Sequence, residues 1–235
     1  ALSTNILSGG GWKYLYDTVT LTNNGAMVLN GATGIYAYNA GAKTINNTGT
    51  WDIQTDADTT YYLGTLTINN SGSLTKSAGT LVSILNGLNN SGTVSVTSGT
   101  LQLDTDGGTG SHTHSGAFNV GTGATLDFNS GTHTLDAASS LTGLGTTQFS
   151  GATMAVNTAA IPQLTITAGT AAINSALAIN TLNLSGGTLN GTGNTTISTA
   201  FNWSGGGLGG SGTFTTGALS TNILSGGGWK YLYDT

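Results

Sequence analysis

Short runs of alternating apolar and polar residues recur along the chain. Thr18-Val19-Thr20-Leu21, Thr65-Leu66-Thr67-Ile68, Thr93-Val94-Ser95-Val96 and Thr100-Leu101-Gln102-Leu103 are the clearest. A period of two is that of an extended strand with its apolar set on one side. Between the runs one turn pattern repeats, an apolar residue followed four places later by Gly and six places later by a second apolar residue. It occurs at Leu21 to Met27, Ile45 to Trp51, Ile68 to Leu74 and Leu88 to Val94, continues in looser form at Val120 and Leu141, and tightens at Ile166, Leu184, Trp203 and Leu224. A second corner, at Gly79, Gly99, Gly131 and Gly151, moves with the first, and its long step from Gly99 to Gly131 accompanies the long step from Leu88 to Val120.

Two corners moving together predict a coil of fixed perimeter. The segment ALSTNILSGGGWKYLYDT at Ala1 to Thr18 returns unchanged at Ala218 to Thr235. Identity at a fixed period marks a repeat array. Residues 1–217 therefore read as one unit and 218–235 as the start of the next. The expectation is an all-β, right-handed parallel β-helix (β-solenoid), with about ten rungs of about 22 residues per 217-residue repeat; the hand follows from the crossover preference of parallel strands. The second copy should place the first rung of the next unit on the last rung of this one. One interval, from Leu224 to the expected next copy of Leu21, is too short to fit ten equal rungs.

Composition agrees with the strand pattern. Among 235 residues there are nine acidic residues, all Asp, and four basic ones, all Lys, with 39 Gly and a single Pro. Helices normally place Glu and Arg on their solvent faces, whereas Thr and Val suit pleated surfaces. Asn at equivalent corners, Asn47, Asn70 and Asn90, should form side-chain ladders between rungs. Sequons at Asn46, Asn69, Asn89, Asn190, Asn194 and Asn202 read as corner chemistry. A net charge of −5 without Arg argues against a nucleic-acid partner, because phosphate binding needs a basic footprint. No apolar run approaches the roughly 20 residues of a membrane-spanning helix, so no membrane insertion is expected.

The GTL and NNSGT corners, on short, regularly recurring coils, resemble the β-helical repeats of filamentous-haemagglutinin-like adhesins and autotransporter-type passenger domains of bacteria. The resemblance covers nearly the whole chain and implies export to the bacterial cell surface as a shaft, filament or adhesive surface. It carries over no functional residue.

Three sets of side chains carry candidate chemistry. The long step from Gly99 to Gly131 suggests an insertion from Asp104 to Gly116, in which Asp104, Asp106, His112 and His114 alternate; oxygen ligands near glycine could hold Ca, and two imidazoles with a carboxylate could hold Zn. A solvated loop is the simpler expectation, and no cofactor is expected. Trp12, Tyr14 and Tyr16 share one strand face, duplicated as Trp229, Tyr231 and Tyr233, with Tyr36, Tyr38, Tyr61 and Tyr62 in later rungs. Turned outward, such a strip suits glycan or a neighbouring filament; turned inward, it fills core. Catalysis is not expected. Without Glu or Arg, grouped carboxylates are limited to pairs such as Asp56 with Asp58 or Asp127 with Asp136. The expected partners are neighbouring copies of the repeat, end to end, with glycan or a cell surface second.

Overall fold

A computed structural model of the chain describes residues 4–105 and 110–233. These residues form thirty strands and no helix. The strands pair in parallel as three sheets, the faces of a β-solenoid of about eleven turns of about 21 residues. The first face opens with Thr4–Leu7, Ala26–Leu29 and Thr50–Ile53; the second with Lys13–Tyr16 and Ile35–Tyr38; the third with Val19–Asn23 and Ala42–Asn47. Past Ser140–Gly143 the first face continues through the Thr158 hydroxyl on the Ser139 carbonyl and a bridge from Ala160 to Ala178. In Leu177–Leu184 and Thr195–Trp203 the chain then rounds the first corner as continuous strand, with a register shift between Ile179 and Thr181.

The three corners draw on the same small residues, and this resolves the uneven spacing in the sequence. Leu21, Ile45, Ile68 and Leu88 lie on the third face, Val120 and Leu141 on the first, and Ile166, Leu184, Trp203 and Leu224 on the second. The second series drifts too: Gly79 and Gly99 precede second-face strands, Gly131 and Gly151 third-face strands. The long step from Gly99 to Gly131 is one turn plus one face, and the short step after Leu224 is the remaining two faces of a turn. The inserted loop read at Asp104 to Gly116 is thus mostly regular structure, with Thr100–Asp104 on the second face and Ser111–His114 on the third. Six residues of sequence separate these two strands, against three at 129–131 and at 150–152.

Inward positions fill a narrow core with Leu29, Ile45, Leu66, Leu74, Leu101, Phe128, Phe149 and Leu164, all fully buried. Burying such a side chain contributes roughly 1.5–3 kcal/mol, but a rung closes only when another lies above and below. The inward asparagines at one corner are arranged so that each satisfies the next. Asn23 donates from Nδ2 to Asn47 Oδ1 (2.7 Å), Asn47 to Asn70 (2.7 Å) and Asn70 to Asn90 (2.8 Å). The second amide hydrogen of each of these donors binds a backbone carbonyl of the following turn, at Thr50, Ser73 and Thr93. The expected ladder is present, with Asn23 added at its start. A second, outer ladder joins Asn69 Nδ2 to Asn46 Oδ1 at 3.0 Å.

The glycines of this corner answer to close approach rather than to a left-handed backbone. A Cβ on Gly72 would stand 2.1 Å from the carbonyl oxygen of Gly49, and one on Gly92 2.2 Å from that of Gly72. Neither has a positive φ. Gly79 and Gly99, at the first corner, do have positive φ, of 81° and 61°, which a side chain would strain.

Candidate aromatic contact surface

Six aromatic rings gather on the outside of the second face in its first three turns. In Lys13–Tyr16, paired in register with Ile35–Tyr38, Lys13 and Leu15 stand over the buried Ile35 and Ala37. Strand alternation therefore sends Tyr14, Tyr16, Tyr36 and Tyr38 outward. Trp12 joins them through Tyr36, with ring centroids 5.2 Å apart, and Tyr62 stacks on Tyr38 at 5.6 Å and 13° between planes. Within the group Tyr14 meets Tyr38 edge-on at 6.0 Å, and Tyr16 meets Tyr38 edge-on at 5.8 Å. Tyr14 is 46% exposed, Tyr16 52% and Tyr62 57%, so these rings do not fill core. Tyr61 differs. It pairs with Ala37 and packs inward against the apolar cluster.

The corner below this surface is held firmly. Asp17 and Asn39, each with positive φ (55° and 61°), follow Tyr16 and Tyr38. The Asp17 amide donates to Asn39 Oδ1 at 2.7 Å, and Asn39 Nδ2 donates to Asp17 Oδ1 at 2.8 Å. Behind them the buried Lys43 turns its ammonium onto the carbonyls of Asn39, Ala40 (3.1 Å) and Gly41 (3.2 Å).

Lys43 is one case of a rule covering every lysine in the chain. Lys13 Nζ donates to the Gly11 carbonyl at 2.8 Å and Lys230 Nζ to that of Gly228 at 3.0 Å. Lys76, also fully buried, donates to the carbonyls of Thr55 and Ala78 and pairs with Asp56 Oδ1, each at 3.0 Å. Most of these corner carbonyls take no amide from the next turn, and a long stem through the core delivers an ammonium to them. Nothing in the sequence pattern marks these lysines as internal. All four ammonium groups are so engaged, including that of Lys13 on the strand that carries Tyr14 and Tyr16.

The sequence's metal candidates are distributed differently. Asp104 ends a second-face strand, where its carboxylate accepts from Asn129 Nδ2 (2.9 Å), Ser130 Oγ (3.2 Å) and Gln102 Nε2 (3.1 Å). Asp106 lies outside the described residues. His112 and His114 point into the core from the third face, with His133 directly above His112 in register. Among the described residues no group of three or more His, Cys, Asp or Glu converges as a metal site.

His114 Nε2 and His133 Nδ1 are 3.0 Å apart, and His133 Nε2 is 3.0 Å from the Ser130 carbonyl oxygen. The carbonyl can only accept, so His133 carries its hydrogen on Nε2 and accepts at Nδ1 from His114. Burial, with the other two imidazoles adding to it, holds His114 well below the usual histidine range; burial and the His112 imidazole hold His133 at about 4. The acidic pairs read from the sequence have separate partners. Asp56 binds Lys76; burial raises its carboxyl, and the Lys76 ammonium together with the Leu81 and Thr80 amides more than offsets that and keeps it low. Asp58 accepts from the Ile84 amide at 2.8 Å. Burial raises the carboxyls of Asp58 and Asp127. Asp127 lies on the second face, whereas Asp136 follows the third-face strand Thr132–Leu135.

The duplicate segment builds a second, smaller aromatic feature. Tyr231 and Tyr233 stack at 5.7 Å and 19° on the third face. The Tyr233 ring lies over Gly207, where a Cβ would meet it at 2.2 Å. Beside it runs a groove of about 580 Å³ lined by Thr188, Asn190, Thr192, Gly209, Ser211 and Tyr233. No protein-family model, curated protein or solved structure matches the chain.

Proposed function

We propose that the chain is a structural repeat of a secreted giant surface protein, stacking end to end into a stiff extracellular shaft. One observation carries this most directly: the second copy of the eighteen-residue segment continues the coil, with Thr221–Leu224 paired in parallel with residues 200–203 and Lys230–Leu232 with Gly206–Leu208. Each turn buries its inward side chains against the turns beside it, so units joined in this way make one solenoid. The resemblance to bacterial surface repeats supports an extracellular setting.

Electron microscopy of tandem units tests this. Continuous unbranched fibres are expected, lengthening by roughly 50 Å per unit from a rung spacing of about 4.8 Å; separate globular particles would contradict it.

A second reading, an adhesin module binding glycan or a surface partner, is favoured by the exposed rings around Trp12, Tyr14 and Tyr16. Exposed aromatic faces stack on sugar rings. Catalysis has no part in either reading.

A further inference from the structure

The two copies of the eighteen-residue segment occupy different faces. Thr4–Leu7 pairs with Ala26–Leu29 on the first face, whereas the identical Thr221–Leu224 pairs with Ala200–Trp203 on the second. Lys13–Tyr16 lies on the second face, and its duplicate Lys230–Leu232 on the third. The inside and outside of the segment are unchanged by this shift. Leu7 and Leu224 both continue inward columns, over Leu29 and Trp203, and Leu15 and Leu232 do so over Ala37 and Leu208. Even the lysine bond is reproduced, because Gly11 and Gly228 are the same residue of the motif.

The corner series agrees. It gains one face between Leu88 and Val120 and another between Leu141 and Ile166, and the short step after Leu224 gives one back, so 217 residues in turns of about 21 make one face more than ten turns.

We infer that each repeat unit advances the coil by ten and one-third turns, so that in a tandem array, on which this rests, every unit is rotated by one face relative to the last. The aromatic surface around Trp12, Tyr14 and Tyr16 then passes round the shaft and returns to a given face at every third unit, roughly 150 Å along the axis. An array built this way has no bare side. A ligand lattice lying along one face meets the rings only once in three units, while a polysaccharide mesh surrounding the shaft is engaged from all directions, each contact raising the effective concentration of the next.

The chain has no cysteine, so paired cysteines report the face directly. Thr221 and Ala200 are outward register neighbours, within the span of a disulfide. Thr196, the outward neighbour of Thr215 on the first-face side, is about 13 Å further along the strand. The pair A200C/T221C is expected to close as readily as the reference pair T4C/A26C, and at least about ten times faster than T196C/T221C. Closure of T196C/T221C at the reference rate, or of neither C-terminal pair while T4C/A26C closes, overturns the rotation. No ligand or fibre enters the measurement, so the shaft and glycan readings stand or fall separately.

Discussion

Residue by residue, the coil is specified by what fits between turns about 4.8 Å apart rather than by a single motif. At Gly72 the limit is steric, since its missing Cβ would enter the space of the Gly49 carbonyl. Gly72→Ala should lower stability by about 1–3 kcal/mol, as overpacking does. Gly10→Ala, with open space around it, should change it by less than about 0.5 kcal/mol; denaturant titration of both variants distinguishes the two. The histidines impose a different limit. In the unfolded chain they titrate near the ordinary value of about 6.5, whereas His133 in the core titrates at about 4 and His114 also well below the usual range. Below pH 6.5 the unfolded state therefore binds more protons, and stability present at neutral pH is lost as pH falls toward 4, by on the order of 3 kcal/mol for His133. Melting measured from pH 7.5 to 4 should decline across that window, and His133→Leu should flatten the decline. A melting temperature unchanged from pH 6.5 to 4 would contradict the buried neutral imidazoles.

Among the elements, strands were readable and faces were not. Thr65-Leu66-Thr67-Ile68 and Thr93-Val94-Ser95-Val96 form the expected strands because period two survives in any local window. The ladder through Asn47, Asn70 and Asn90 was equally legible, since stacked turns bring equal corner positions together. Which corner a glycine marks was hidden, because all three corners accept the same small residues and the coil can slip by one face without changing their spacing rule. That slip made Ser111–His114, a core strand, read as part of an insertion. The internal role of Lys43 and Lys76 was hidden for another reason: lysine at an inward position breaks the apolar alternation, and only the carbonyls gathered at the corner explain it. The aromatic cluster was half legible. Trp12, Tyr14 and Tyr16 plainly shared one side, but which side followed only from Leu15 standing over Ala37. If that surface binds glycan, W12A/Y14A should weaken binding on a glycan array at least about tenfold, in keeping with the loss of two stacking contacts, while the melting temperature stays close to that of the parent. Undiminished binding would remove these rings from the contact.

For the whole molecule, the fold is close to one-dimensional: each turn meets chiefly the turns above and below, and stability accrues by stacking. The N-terminal copy of the repeated segment lies on the first and second faces and the C-terminal copy on the second and third. Interchangeable corners are what permit this, for a segment that relied on one particular corner could not be reused a face later. The same property turns an array into a shaft whose units spiral. Helical reconstruction from electron micrographs of a tandem array measures both consequences at once. A continuous solenoid with a rise of roughly 50 Å and a rotation of one-third of a turn between successive units is the expected result, and discrete particles, or units superimposed by translation alone, would contradict it.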